Sequence, residues 1–478
     1  MPSMHELMAR ISVDPDGGRA IKEPATGAVL GYAPVHTKVD LEKAISSARS
    51  AQPAWEFLGH AERSRILHRV ADRIEEASEA LAELLGRENG KPLNGPNARQ
   101  EVGACVAWLR ATADIDLQPE VVRDDGEWRS TVHYRALGVV AAIGPWNFPM
   151  MIGIWQIAPA LRMGNSVVVK PSEFTPLSVL ALIAVMNDEL PAGVLTAISG
   201  DRELGAGLSE HPDVAKVMFT GSTATGRAIV RSSAANLARL TLELGGNDAG
   251  IVLSDADPAD IAEGLFWGAF INTGQTCAAL KRLYVHEDIY EKTLAALADF
   301  AKQAPMGLSM DENSVLGPLQ NKKQFDIVAE LVEDAKERGG RIVTGGEPAT
   351  ELGELFYPIT IVADLADGAR LVDEEQFGPA LPVIRYSNVD DAIASANRLP
   401  AGLGASVWTK DQKLAQYVSD RLEAGTVWIN SHAVPHPDVP FGGVKASGYG
   451  LEFGVEGLKS LAATRVVSQP IQGTAQGA

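Results

Sequence analysis

Three short runs in this 478-residue chain combine residue types that could do covalent chemistry. Residues 272–277, NTGQTC, form a small polar stretch that delivers one cysteine. A lone cysteine is more often a small buried apolar residue than a nucleophile. Cys105, inside the helix-like run 102–109, fits that ordinary role. Cys277 differs, because glycine and threonine leave its approach open and a thiolate is a strong nucleophile. Residues 241–246, TLELGG, end an apolar strand with Glu243 and two glycines. A glutamate is normally a solvated surface charge, but burial in such a strand would raise its pKa toward that of a usable base. Residues 144–149, GPWNFP, hold Asn147 between bulky rings and prolines. Asparagine there can be a plain turn residue, and a rigidly held amide can also donate to an oxyanion.

These side chains need elements to carry them. Residues 61–90 read as one long amphipathic helix, with Ile66, Val70, Ile74, Ala77, Leu81 and Leu84 recurring every three or four positions. From about 137, strand-like runs at 137–143, 166–169, 195–198, 214–219 and 240–244 alternate with helical candidates such as 176–190. Such alternation predicts an open parallel sheet with ligands beyond its strand ends. It restarts after Asp248, with strands near 282–285, 341–343, 381–386 and 426–430, which predicts a second α/β unit. Residues 124–126, DDG, signal a hairpin turn before a strand carrying Trp128, Ser130, Val132 and Tyr134. This hairpin and a strand at 462–467 are expected at the surface, covered by another subunit or left as a monomer's edge. The tail 473–478 is too small and polar to be expected in order.

Composition excludes several classes. The chain carries 42 basic and 61 acidic residues, a net charge of −19, which repels phosphate backbones and anionic membranes. No apolar run is long enough to span a bilayer, and MPSMHELMAR has no apolar core for a signal peptide. Two cysteines make no disulfide framework and suit a reducing cytoplasm. GxGxxG, Walker, GxSxG, CxxC and HExxH motifs are missing, so neither the usual dinucleotide fingerprint nor metal hydrolysis is indicated.

The three chemical runs, with KPSE at 170–173, FTGSTATG at 219–226, EEQFGP at 374–379, GTVWIN at 425–430 and PFGGVKASGYG at 440–450, stand in the order of one family. Over nearly its whole length the chain resembles the aldehyde dehydrogenase superfamily, in its NAD-dependent, hydrolytic branch. The resemblance implies an α/β fold with a Rossmann-like cofactor domain (1–117 and 137–248), a second α/β catalytic domain (249–446) and oligomerisation segments (118–136 and 447–478). It implies Cys277 as nucleophile, forming a thiohemiacetal and then a thioester. The oxyanion would be held by the Asn147 amide and the Cys277 N–H, and Glu243 would activate the hydrolytic water. A branch that passes the acyl group to coenzyme A generally lacks this glutamate, and a catalytically silent relative would have lost Cys277 or Asn147.

By the same resemblance the cofactor contacts are Trp146, Lys170, Ser172, Glu173, Phe219, Gly221, Ser222, Leu244, Glu375 and Phe377. Glu173 would bond ribose hydroxyls and repel a 2′-phosphate, which favours NAD over NADP. Ser222 would stand near a helix start that binds the pyrophosphate. Phe148, Trp155 and Phe441 would line a substrate tunnel for a hydrophobic aldehyde, with His432 and His436 in the loop nearby. Glu452 resembles a proton-relay carboxylate or, equally, a structural ion-pair partner. Gln156 replaces a lysine common in relatives, and Asn247 replaces the lysine of ELGGK. No metal is implied, and a homodimer or homotetramer is expected.

Overall fold

The structure, a computed structural model, describes residues 1–471; the polar tail expected at 473–478 lies outside the described residues. Valine-rich runs build the centre of a six-stranded sheet ordered Gly448–Tyr449, Arg239–Glu243, Val214–Thr220, Val139–Ile143, Ser166–Lys170 and Leu195–Ala197. All neighbours run parallel except the two-residue Gly448–Tyr449 strand. Side chains alternate between the two faces, as strand geometry requires. Val140, Ala142, Val167 and Val169 join one core with the helices Pro149–Arg162 and Pro176–Met186. Val139, Ala141, Ile143 and Val168 join another, with Leu41, Ile45 and Leu208. Burial on both faces is what a parallel sheet needs.

The register places the chemistry. Ile143 lies opposite both Lys170 and Phe219, and Thr220 lies opposite Glu243. The carboxyl ends of four strands therefore reach one level, where open α/β sheets bind ligands. A second sheet has seven strands, ordered Arg341–Thr344, Thr360–Ala363, Ala380–Tyr386, Leu280–His286, Asp248–Val252, Gly404–Trp408 and Thr426–Ile429. Only its edge strand Arg341–Thr344 runs antiparallel.

Two helix expectations change. The helix over 61–90 is two, Gly59–Glu76 and Ser78–Asn89, with Ala77 leaving helical geometry (φ −98°, ψ 5°). The buried stripe from Ile66 to Leu84 crosses the break without interruption, so periodicity alone could not show it. The helix over 176–190 ends at Met186, where the chain turns and the Asn187 amide donates to the Leu195 carbonyl.

The hairpin forms a separate three-stranded antiparallel sheet. Trp128–Ala136 is central, between Glu120–Asp124 and Ala462–Pro470. Asp125 shapes the turn by accepting the N–H groups of Glu127 and Trp128 at 3.0 and 2.8 Å. Val121, Val122, Val466 and Val467 on the outer strands are exposed. Among the described residues no helix is long and apolar enough to cross a membrane.

Candidate active site

Cys277 follows a strained turn. After the helix Pro258–Phe270, Asn272 and Thr273 take left-handed backbone angles (φ 52° and 56°), a conformation that persists only when its surroundings enforce it. Thr273 Oγ1 donates to the Gly317 carbonyl at 3.0 Å, and the Gln320 N–H donates to Gln275 Oε1 at 2.9 Å. Gly274 is required here, because its φ is +75° and a Cβ would stand 2.3 Å from the Gly378 carbonyl oxygen. Cys277 keeps partial exposure as a residue, yet its surroundings desolvate the thiol and push its pKa up to about 12. Lys281 opposes that rise, while the fields of Glu243 and Asp248 add to it. The open approach expected from the small flanking residues goes together with a thiol that its surroundings desolvate.

Glu243 ends its strand 4% exposed, and neither carboxylate oxygen has a hydrogen-bonding partner among the described residues. Burial raises its pKa well above the usual carboxylate value, the nearby Glu452 raises it further, and the Gly443 amide only partly opposes this. Glu452 is also buried, and its pKa is pushed up to about 8 by desolvation, with Lys216 working against the rise. Among the described residues Glu452 has no ion pair within 4 Å, so the ion-pair alternative gives way to a pair of buried carboxyl groups. Phe441 and Glu452 are bridged backbone to backbone, which draws the C-terminal segment over Glu243.

Asn147 is held from several directions. Its backbone carbonyl accepts Lys91 Nζ at 2.8 Å and Asn272 Nδ2 at 2.9 Å. Its side-chain amide donates to the Gln275 carbonyl at 3.0 Å, two residues before Cys277, which leaves the second N–H of that amide for another acceptor. Buried Lys91 pairs with buried Glu101, whose other oxygen accepts the N–H groups of Met150 and Met151 at 3.0 and 3.1 Å. Beside this segment Phe148, Trp155 and Phe441 cluster with Ile152, Leu403 and Phe453, and Cys277 packs against them. The Trp155 ring meets Phe453 edge-on at 4.7 Å and Trp108 at 5.6 Å.

Glu375 is no solvated surface charge. Its carboxylate lies 3.0 Å from Lys281 Nζ and accepts the Gly246 N–H at 3.1 Å. A Cβ on Gly245 would stand 2.2 Å from Glu375 Oε2, so a side chain there would have to displace the carboxylate. Phe377 meets Trp146 edge-on at 5.3 Å. On the other side of the strand ends lies a cavity of about 480 Å³, lined by Lys170, Ser172, Glu173, Phe219, Arg202 and Thr225 among others. Burial lowers the Lys170 pKa, against the field of Glu173, and Glu173 itself pairs with Arg19 at 3.4 Å. Gly221 donates to the Glu243 carbonyl at 3.0 Å. Ser222 caps the helix Thr223–Ser232 by accepting the Thr225 N–H, and Leu244 packs in the core below Phe219. The ligand region therefore gathers the Lys170 group around the cavity and the Glu375 group beside Cys277.

Other expectations change. His436 is exposed; His432 is buried, bonded through Nδ1 to Ser406 Oγ at 2.9 Å, with its pKa lowered to about 3 by desolvation. That places His432 in the protein interior as a neutral ring. Gln156 is buried and donates to Thr220 Oγ1 at 3.1 Å, while Asn247 donates to the Val372 carbonyl at 3.0 Å. Sequence reasoning missed Lys91, Glu101, Asp248, Lys281, Trp108 and Phe453. A signal existed for Lys281, since KR at 281–282 opens the otherwise apolar strand Leu280–His286.

A strand-end cavity lined by Lys170 and Glu173, and a desolvated thiol packed with Phe148, Trp155 and Phe441, sit on a frame of two mainly parallel sheets. The chain belongs to the aldehyde dehydrogenase family, whose model, "Aldehyde dehydrogenase family", matches residues 13–467. Phenylacetaldehyde dehydrogenase of Pseudomonas fluorescens is 40% identical over 462 residues, covering 93% of this chain and 91% of that protein. The crystal structure of PnpE from Pseudomonas sp. WBC-3 aligns with a TM-score of 0.92 at 37% identity, covering 96% of each chain. The NAD+ complex of an aldehyde dehydrogenase from Bacillus cereus aligns at 0.91 with 36% identity, covering 95% of this chain and 94% of that one.

Proposed function

We propose that this enzyme oxidises an aldehyde to the free carboxylic acid with NAD, using Cys277 as covalent nucleophile. The carrying observation is the convergence of a thiol, an amide and a buried carboxyl group from three distant segments. Asn147 bonds to the residue two before Cys277, and the charge of Glu243 is felt at the Cys277 thiol. The Cys277 thiolate attacks the aldehyde carbonyl, and the free N–H of Asn147 with the Cys277 amide stabilises the resulting oxyanion. NAD, when bound, supplies the hydride acceptor that turns the thiohemiacetal into a thioester. Glu243, buried and raised in pKa, takes a proton from water as that water attacks the thioester and Cys277 leaves as thiolate.

The residues present fit the cofactor. The cavity beside Lys170 and Glu173 is of a size for a nucleoside, and the first-turn amides of the Thr223–Ser232 helix favour an anion. Glu173 offers an acceptor for ribose hydroxyls and is unfavourable for a 2′-phosphate, which supports NAD over NADP. The aromatic cluster beside Cys277 supports a hydrophobic aldehyde, in keeping with the phenylacetaldehyde in one relative's name. Residues 1–117 and 137–248 would carry the cofactor, 249–446 the nucleophile, and the exposed valines of 118–136 and 447–478 would meet a second copy. An aldehyde panel assayed in parallel with NAD and NADP tests the reading. Cys277→Ala is expected to abolish reduction of the cofactor while leaving its binding, and retained turnover would remove Cys277 from the mechanism.

A further inference from the structure

Lys281 takes no part in the steps above, yet it is a cation with a side chain only 2% exposed beside the nucleophile. Its placement comes from an irregularity in strand pairing. Asp248 pairs with Leu280 and Ala249 with Arg282, so Lys281 is the extra residue on the Leu280–His286 strand. A bulge of this kind re-aims a side chain, and bulges gather next to active sites. The ammonium donates to the Cys277 backbone carbonyl, lies 3.0 Å from Glu375, and has the Phe377 ring centre at 5.6 Å. Glu375 in turn accepts the Gly246 N–H, three residues beyond Glu243. One cation thus joins the nucleophile's loop, the glycine turn after Glu243, and the Glu375–Phe377 loop.

We propose that Lys281 is a positioning residue for this reaction: one buried ammonium fixes the Cys277 loop and Glu375 together and supplies positive charge to the thiolate. This rests on the reading of Cys277 as nucleophile. Three charged side chains act on the thiol: Lys281 from its own strand, Glu243 from the Arg239–Glu243 strand and Asp248 from the Asp248–Val252 strand. Glu452 and, beyond it, Lys216 stand behind Glu243, while Glu375, Arg282 and His432 stand around Asp248 and Lys281. Lys281 is the cation in that innermost set, set against two carboxyl groups. Removing its charge leaves the thiolate facing carboxyl groups alone, and Glu375 keeps the Gly246 N–H but loses its cationic partner.

The test reads the rate of Cys277 alkylation by iodoacetamide across the neutral to alkaline range, with the modified residue identified by peptide mass so that Cys105 is counted apart. Below the thiol pKa that rate follows the thiolate fraction. Lys281→Gln keeps a hydrogen-bond donor and loses the charge, and is expected to slow alkylation about tenfold, the effect of one pKa unit. It is also expected to raise KM for NAD more than it lowers kcat, through release of Glu375. Lys281→Arg is expected to restore both. Lys281→Met removes charge and donor; if it does not fold, the Gln and Arg variants decide. An alkylation profile of Lys281→Gln that overlays the unaltered enzyme, whatever its melting temperature, overturns the proposal. Turnover retained in Cys277→Ala instead sinks the nucleophile reading, and the two failures are told apart by which variant misbehaves.

Discussion

Asn147 and Glu243 stand at the ends of strands in one sheet, but they are held in opposite ways. Around Asn147 every charge has an answer: Lys91 bonds its carbonyl, Glu101 neutralises Lys91, and the spare oxygen of Glu101 takes two helix N–H groups. Around Glu243 little is answered: two carboxyl groups lie buried together, and neither oxygen of Glu243 has a partner among the described residues. A satisfied buried network is rigid and expensive to break. An unsatisfied buried acid is held above its ordinary pKa, which makes it a stronger base than a solvated carboxylate. One region is held by satisfied bonds and the other leaves a carboxyl group unsatisfied, at the ends of strands in the same sheet.

The largest expected consequence of that contrast is kinetic. Glu243→Gln is expected to lower turnover by ~10²–10⁴-fold, the usual worth of a general base, with an acyl-enzyme visible by intact-protein mass spectrometry. Its urea midpoint is expected to hold or rise, because repulsion with Glu452 is removed. Full turnover, or a large loss of stability, would erase the contrast. Next comes Glu101→Ala, which strands the buried Lys91 ammonium and should cost about 3–5 kcal/mol of stability in urea melts. A loss near zero would mean the Asn147 support is slack.

A smaller effect is set by pH. The Glu452 carboxyl is raised from 4.5 to about 8 in the fold, so between those values the native protein keeps a proton that the unfolded chain sheds. Stability from this group therefore falls as pH rises through that window. Glu452→Gln is expected to flatten the fall, gaining most on the unaltered protein at the alkaline end; parallel curves of melting temperature against pH would contradict it. The lowered Lys216 pKa, from 10.5 to about 8, acts with opposite sign and only above that window. Last, Ser222→Ala breaks a cap at the protein surface and should cost only ~1 kcal/mol. A loss equal to that of Glu101→Ala would deny that burial makes the difference.

Sequence made some of this legible and hid the rest for physical reasons. Cys277, Glu243 and Asn147 stand in local runs where small residues and strand ends mark unusual surroundings, so they could be read without coordinates. The strands were legible because doubly buried parallel strands read as uninterrupted apolar runs. The Lys91–Glu101 support was not, since Glu101 meets Met150 across 49 residues and no periodicity encodes that meeting. Lys281 and Glu375 are 94 positions apart and meet where one strand carries an extra residue. The desolvation of Cys277 was hidden for a related reason: its small neighbours in sequence say that it can be reached, but not which distant side chains bury its thiol. Ala77 shows the converse, a break in the helix that the apolar stripe simply crosses.

The nine-residue ladder between Trp128–Ala136 and Ala462–Pro470 also governs when this protein can be finished. Ser130 meets Ser468 across 338 residues, and contacts so distant in sequence form late. While the chain is being made, the Trp128–Ala136 strand has one edge bare until nearly all the rest has left the ribosome. The newborn chain is exposed to wrong pairings along that edge during the interval.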